Sequence, residues 1–143
     1  MATPDYQYYK LYQKLELNSE QWGKLIDQAH EGGVLALADV FGVDSARMLI
    51  RQGIDGFRIH TTDVKNLSFL KFLARSGKSL LLSTSGSYKE EIEKALRILN
   101  ENGAEEIVLM HGLQSYPTLV EDTNLLKIQL FKDSFGLPVG FAD

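Results

Sequence analysis

The stretch "SLLLSTSGSYKEEIEKALRILNENGAEEIVLMHGL", residues 79–113, changes its hydrophobic period twice. It opens as an apolar run that ends in Ser83, Thr84, Ser85 and Gly86, the pattern of a buried strand running into a turn. From Ser87 onward the apolar residues recur at Ile92, Ala95, Leu96 and Leu99, which is one face of a helix. Ser87 and Glu90 stand at capping-box spacing before it. A second apolar run, Ile107 to Met110, follows Gly103. Strand, crossover helix and strand in this order describe a βα unit with parallel strands.

The same alternation extends in both directions. "LNSEQWGKLIDQAHEGG" places Trp22, Leu25, Ile26 and Ala29 at helical spacing, with Asn18 or Ser19 to cap its start and Gly32 and Gly33 to end it. "VLALADVF" reads as a strand, "DSARMLIRQG" as a short helix closed by Gly53, and "GFRIHTTD" as a strand. "NLSFLKFLARSG" is a helix capped by Asn66 and stopped by Gly77. Beyond residue 113, "VEDTNLLKIQLFKDSFG" reads as a helix with Leu125, Ile128 and Phe131 inward and Gly136 after its last turn. "LPVGFAD" is a fifth strand. Strand starts lie roughly 22–32 residues apart, the length of a βα unit. Near-continuous apolar strands suit a parallel sheet. The class is α/β, and two architectures fit it. One is an open doubly wound sheet. The other is part of a (β/α)8 barrel, which typically needs about 250 residues.

The 143 residues are 44% apolar and 24% charged, with a net charge of −4, the composition of one globular domain over 1–143. An acidic balance argues against a nucleic-acid partner. No apolar run approaches the roughly 18 residues of a membrane span. There is no cysteine. Disulfides and thiol nucleophiles are excluded, and a cytoplasmic location is expected.

Ligand sites of parallel α/β folds form at the C-terminal ends of strands. Polar residues gather there. They are Asp39 on the first strand, Arg58, His60, Thr61, Thr62 and Asp63 on the second, and Ser83–Ser85 on the third. His111, Gln114 and Tyr116 follow on the fourth, and Asp143 on the fifth. Arg58 lies between Phe57 and Ile59, so its side chain points to the opposite face from theirs. It either binds an anion or forms a structural ion pair with Asp39 or Asp63. Ser83–Ser85 either contact an anion near a helix start or cap that helix. His111 and His60 are each open to a ligand role or a structural one. Tyr116 either shapes a loop or, with Gln114, contacts a small polar ligand.

Several chemistries find no support. No G-x-G-x-x-G or Walker loop follows a strand. Lys65 and Lys78 are not placed as Schiff-base lysines. "STSGS" is not a nucleophile elbow. His111, Asp39 and Asp143 are too few to define a metal site.

The blocks "GKSLLLSTSGSYKEEIEKAL" (77–96), "IVLMHGLQSYPTLVEDTNL" (107–125) and "FGLPVGFAD" (135–143), in this order, resemble the N-acetylneuraminate (sialic acid) synthase family. "YYKLYQKLELNSEQW" and "DGFRIHTTDVKNLSFLKFLARSGK" resemble the preceding part of the same domain. The resemblance implies an incomplete TIM-type (β/α)8 barrel of about five βα units, corresponding to strands three to seven. It also implies a synthase that condenses phosphoenolpyruvate with an N-acetylhexosamine, using a divalent metal, manganese or magnesium, in the full-length enzyme; this segment by itself is expected to bind no metal and to be inactive. By that likeness Arg58 stands where the family has a phosphoenolpyruvate-binding lysine, and Thr61 where it has a serine contacting the same ligand. Ser83 matches a phosphate-contacting serine, and Asp39 replaces a threonine that contacts phosphoenolpyruvate. Gln114 replaces an asparagine, and Tyr116 matches a tyrosine facing the sugar. Asp143 matches the aspartate that precedes a metal-binding histidine. A non-catalytic barrel remnant that binds a phosphorylated metabolite, or acts by self-association, is the alternative. Five strands leave two open edges, so a homo-oligomer is expected.

Overall fold

The computed structural model describes residues 7–115 and 117–142. Two of the residues singled out above, Tyr116 and Asp143, lie outside them. Among the described residues five strands form one sheet: β1 (Leu37–Val40), β2 (Gly56–Ile59), β3 (Ser79–Ser83), β4 (Ile107–Gly112) and β5 (Val139–Ala142). The helices are α1 (Tyr9–Leu15), α2 (Ser19–Glu31), α3 (Val43–Arg51), α4 (Leu67–Ala74), α5 (Lys89–Glu101) and α6 (Leu126–Phe135), with 3-10 turns at Thr61–Asp63 and Val120–Asp122. No helix among the described residues is long and apolar enough to cross a membrane.

The sheet order is β1-β2-β3-β4-β5, every neighbouring pair parallel. This order decides between the two architectures. A doubly wound sheet reverses direction once, at a switch point. Here each strand adds on the same side of the last. Right-handed crossovers that all step one way put every helix on one face. The burial pattern agrees. Val40, Phe57, Ile59, Leu80, Leu82, Ile107 and Leu109 are buried in the core under the helices. Asp39, Arg58, Leu81, Val108 and Met110, on the other face, are only half-buried or exposed.

Local chemistry explains most element ends. Asn18 Oδ1 accepts from Gln21 N at 2.9 Å while the Gln21 side chain accepts from Asn18 N at 2.9 Å, a reciprocal cap for α2. Asn66 Oδ1 accepts from Phe69 N at the start of α4. Gly136 closes α6 with φ 65°, a left-handed conformation that an L side chain rarely adopts.

Four local expectations are corrected. The cap of α5 is shifted by one residue: the helix begins at Lys89, and Glu91, not Glu90, reaches back to the Tyr88 N–H at 3.0 Å. Ser87 instead closes a turn by donating its N–H to Thr84 O. Residues 120–122 form a 3-10 turn, and Leu125 precedes α6 and is 50% exposed rather than inward. In α2, Leu25 is exposed, and Gly23 and Ile26 are the buried positions. The first strand is shorter than its apolar run, with Val34, Leu35 and Phe41 exposed beside it.

Candidate functional site

A cavity of about 280 Å³ lies at the C-terminal ends of β2 to β5. Arg58, Thr61, Ser83 and Gln114 line it together, with His60, Ser85 and Gly112 completing the polar wall. These residues come from three consecutive strands and the segments that follow them. The strand register explains why they meet. Asp39 pairs with Arg58, Arg58 with Leu81, and Ser83 with Met110, so each site side chain leaves its strand on the face away from the helices.

Arg58 is held by Asp39 of the neighbouring strand. Its Nε donates to Asp39 Oδ1 and its Nη2 to Asp39 Oδ2, both at 2.6 Å. This is the two-pronged fit of a guanidinium to a carboxylate. Asp39 raises the Arg58 pKa above its ordinary value, against a smaller opposing effect of burial. The structural reading of Arg58, an ion pair, is therefore present, and its partner is Asp39 rather than Asp63. Arg58 still lines the cavity.

The hydroxyls divide their work. Thr84 Oγ1 donates to Met110 O at 3.2 Å and Ser85 Oγ to Gly112 O at 2.8 Å, fastening the β3 end to β4. None of the three caps α5. Ser83 is 8% exposed and stands on the cavity wall. Thr61 Oγ1, in the 3-10 turn after β2, is buried and has no hydrogen-bond partner among the described residues. Thr61 lines the cavity, and a small rotation of its side chain would offer this unpaired hydroxyl to a ligand there. Gly112 lets β5 come close: a Cβ there would lie 2.6 Å from Ala142 O.

His111 belongs elsewhere. It shares strand parity with Ile107 and Leu109 and so faces the helices. Its Nε2 lies 2.8 Å from Thr123 O, and its ring packs against Phe131 and Phe141, with centroids 6.0 Å away in each case. It is 4% exposed. His111 lines a second cavity of about 270 Å³, with the Thr84–Ser87 turn, Asn124 and Lys127. Nothing in the apolar patterning singled out Lys127 or Asn124. The one local signal is the backbone of Asn124, whose φ of 45° is unusual for a non-glycine residue.

The described residues around the first cavity do not make a divalent-metal site. The imidazole there, His60, has Nδ1 3.1 Å from Thr62 Oγ1 and Nε2 3.0 Å from the Gln114 amide. The adjacent carboxylate, Asp39, has both oxygens on Arg58. No group of three His, Asp or Glu side chains converges among the described residues.

The NeuB family model matches residues 2–143, nearly the whole chain. The chain belongs to the NeuB family. It is 35% identical over 136 residues to an N,N'-diacetyllegionaminic acid synthase of Campylobacter jejuni, covering 94% of this chain and 41% of that protein. It is 26% identical over 135 residues to a pseudaminic acid synthase of the same species, covering 94% and 39%. A crystal structure of the N-acetylneuraminic acid synthetase of Leptospira borgpetersenii superposes with a TM-score of 0.89 at 27% identity, covering 98% of this chain and 49% of that one. The chain thus spans about two fifths of the length of these curated relatives. Five parallel strands stepping in one direction, laid over this NeuB-type neighbour, are part of a (β/α)8 barrel.

Proposed function

We propose that this NeuB-family domain carries the phosphoenolpyruvate side of a sugar-acid synthase active site. The observation that carries the reading is the convergence of Arg58, Thr61, Ser83 and Gln114 on one cavity at the strand ends. Relatives named as legionaminic and pseudaminic acid synthases support the reaction class. The co-substrate is an N-acetylhexosamine in its open-chain form.

The chemistry asks for two things that these residues offer. Phosphoenolpyruvate is a multiply charged anion, and it must be held while its carbon 3 attacks the sugar aldehyde. A guanidinium and two hydroxyls donate charge-assisted hydrogen bonds to phosphate or carboxylate oxygens. In this reading Arg58, Ser83 and Thr61 hold the anion, with the orphaned Thr61 hydroxyl gaining its missing partner. Gln114 and Tyr116 orient the sugar. As the new carbon–carbon bond forms, water adds at carbon 2 and the carbon–oxygen bond to phosphate breaks, releasing inorganic phosphate. The divalent metal, manganese or magnesium, that the family likeness implies would supply electrophilic activation of the aldehyde. The described cavity residues do not form its site.

The test is phosphate release from phosphoenolpyruvate with N-acetylmannosamine and manganese. The 143 residues alone are expected to release little phosphate, because the described cavity residues form no metal site. Within a synthase of the relatives' length, release that depends on the sugar, and that falls about 100-fold or more in Arg58→Ala, is expected. Release that ignores the sugar, or that survives the substitution intact, contradicts the reading.

A further inference from the structure

Arg58 is the only cavity-lining side chain among the described residues with a permanent charge. That charge is already matched. Asp39 takes one N–H from Nε and one from Nη2, the edge a ligand carboxylate or phosphate would prefer. Of the five guanidinium N–H groups, three remain outside the pair. The pair is not locked in the core: the Arg58 and Asp39 side chains are 39% and 36% exposed. At this exposure water screens the pair, and a bound anion can compete with Asp39 for its donors. A bound anion therefore meets a carboxylate on the adjacent strand, in register with Arg58, competing for the same donors.

We propose that Asp39 is a specificity-determining residue, a resident competitor that occupies Arg58 and sets how strongly the cavity binds a doubly charged oxyanion. The inference deepens the proposed function and rests on the Arg58 cavity being an anion site. With Asp39 in place the cavity wall is close to neutral, and its free donors are the Thr61 and Ser83 hydroxyls and the remaining guanidinium N–H groups. Such a wall holds a dianion, phosphoenolpyruvate included, less tightly than the same wall without the Asp39 charge. Like-charge juxtaposition at a binding surface is the usual physical means of such tuning.

The test is a double-mutant cycle on binding of inorganic phosphate, measured by calorimetry. It uses the parent chain, Asp39→Asn, Arg58→Ala and the double variant. Asp39→Asn is expected to bind phosphate about tenfold more tightly or better, because one nearby like charge is removed. In the Arg58→Ala background the same substitution is expected to change little, because the competition acts through Arg58. Asp44→Asn removes a carboxylate whose side chain is 98% exposed on α3, and it controls for net charge by leaving affinity unchanged. Unchanged or weaker binding in Asp39→Asn, while Arg58→Ala binds more weakly than the parent, overturns the role of Asp39 and leaves the anion site standing. A gain that persists without Arg58 also overturns it. Absence of phosphate binding in the parent and in Asp39→Asn removes the anion site itself, and this inference with it. Thermal melts accompany each variant. Loss of the folded state in both Asp39→Asn and Asp39→Ser makes the pair structural and overturns the proposal.

Discussion

The Gln114 amide and the His60 ring meet at 3.0 Å although 54 residues separate them, spanning the ends of β2 and β4 with β3 between. The contact ties the segment after β4 to the end of β2, and both residues line the cavity there. Gln114→Ala removes one exposed side-chain contact, so the loss of stability is expected to stay within about 0.5–1.5 kcal/mol. Gln114→Glu keeps the shape but adds a carboxylate to the wall. Phosphate titrations should show little change for the alanine variant and about tenfold weaker binding for the glutamate variant.

A second prediction concerns acid stability at the opposite end of the sheet. Asp55, just before β2, accepts from Ala36 N at 2.7 Å and lies 2.8 Å from His30 Nε2. The Ala36 N–H above all, then His30, hold its pKa below the ordinary 3.8. A carboxyl depressed on folding adds stability that is fully present above its unfolded pKa and is lost as pH falls through its folded value. The parent chain should therefore lose stability on acidification below about pH 4. Asp55→Asn should show a shallower loss there and cost about 0.5–1.5 kcal/mol at neutral pH, since the Ala36 N–H bond is kept to a neutral amide oxygen and loses its charge assistance. Urea melts at stepped pH read both. Parallel pH profiles for the two proteins would remove Asp55 from the acid response.

The two faces of β3 should respond differently to truncation. Leu82 is fully buried under the helices, whereas Leu81 is only partly buried on the cavity-bearing face. Leu82→Ala should cost about 2–5 kcal/mol, as a core cavity does. Leu81→Ala should cost clearly less. Equal costs would mean that both faces of the sheet are packed alike.

Alternation of strand and helix was legible from residue patterning alone, and so was the side of the sheet that Arg58 takes, because Phe57 and Ile59 flank it at period two. The same parity applied to Ile107, Leu109 and His111 places His111 under the helices. The polar character of its strand end masked that reading. Sheet order is not a property of periodicity, so the choice between a doubly wound sheet and a barrel needed the observed β1-to-β5 succession. Local errors have local causes. Ser87 and Glu90 have capping-box spacing, but the turn that Ser87 closes with Thr84 delays the helix by one residue. Leu125 fits the helical stripe of α6, yet it precedes the first helical residue and points to solvent. The Asp39 partner of Arg58 was foreseeable only as one of two candidates. Strand register chose it over Asp63.

The edges of the sheet carry a fourth prediction. Among the described residues β1 and β5 pair on one side only, neither strand contains a lysine, and Leu35, Leu37 and Phe41 are exposed around β1. Unprotected edges of this kind recruit further strands. The 143-residue chain should associate with itself as its concentration rises, which light scattering detects. A monodisperse monomer across the full concentration range contradicts this.

Whether the Arg58 cavity is the phosphoenolpyruvate site is tested most directly by calorimetric titration of phosphoenolpyruvate into the parent, Arg58→Ala, Ser83→Ala and Lys127→Ala proteins. Lys127 lines the neighbouring cavity on the helix side of β4 and serves as the control. The predicted result is binding by the parent and by Lys127→Ala, with a loss of about 30-fold or more in Arg58→Ala and a smaller loss in Ser83→Ala. Full affinity in Arg58→Ala together with loss in Lys127→Ala would contradict the assignment and move the anion to the second cavity.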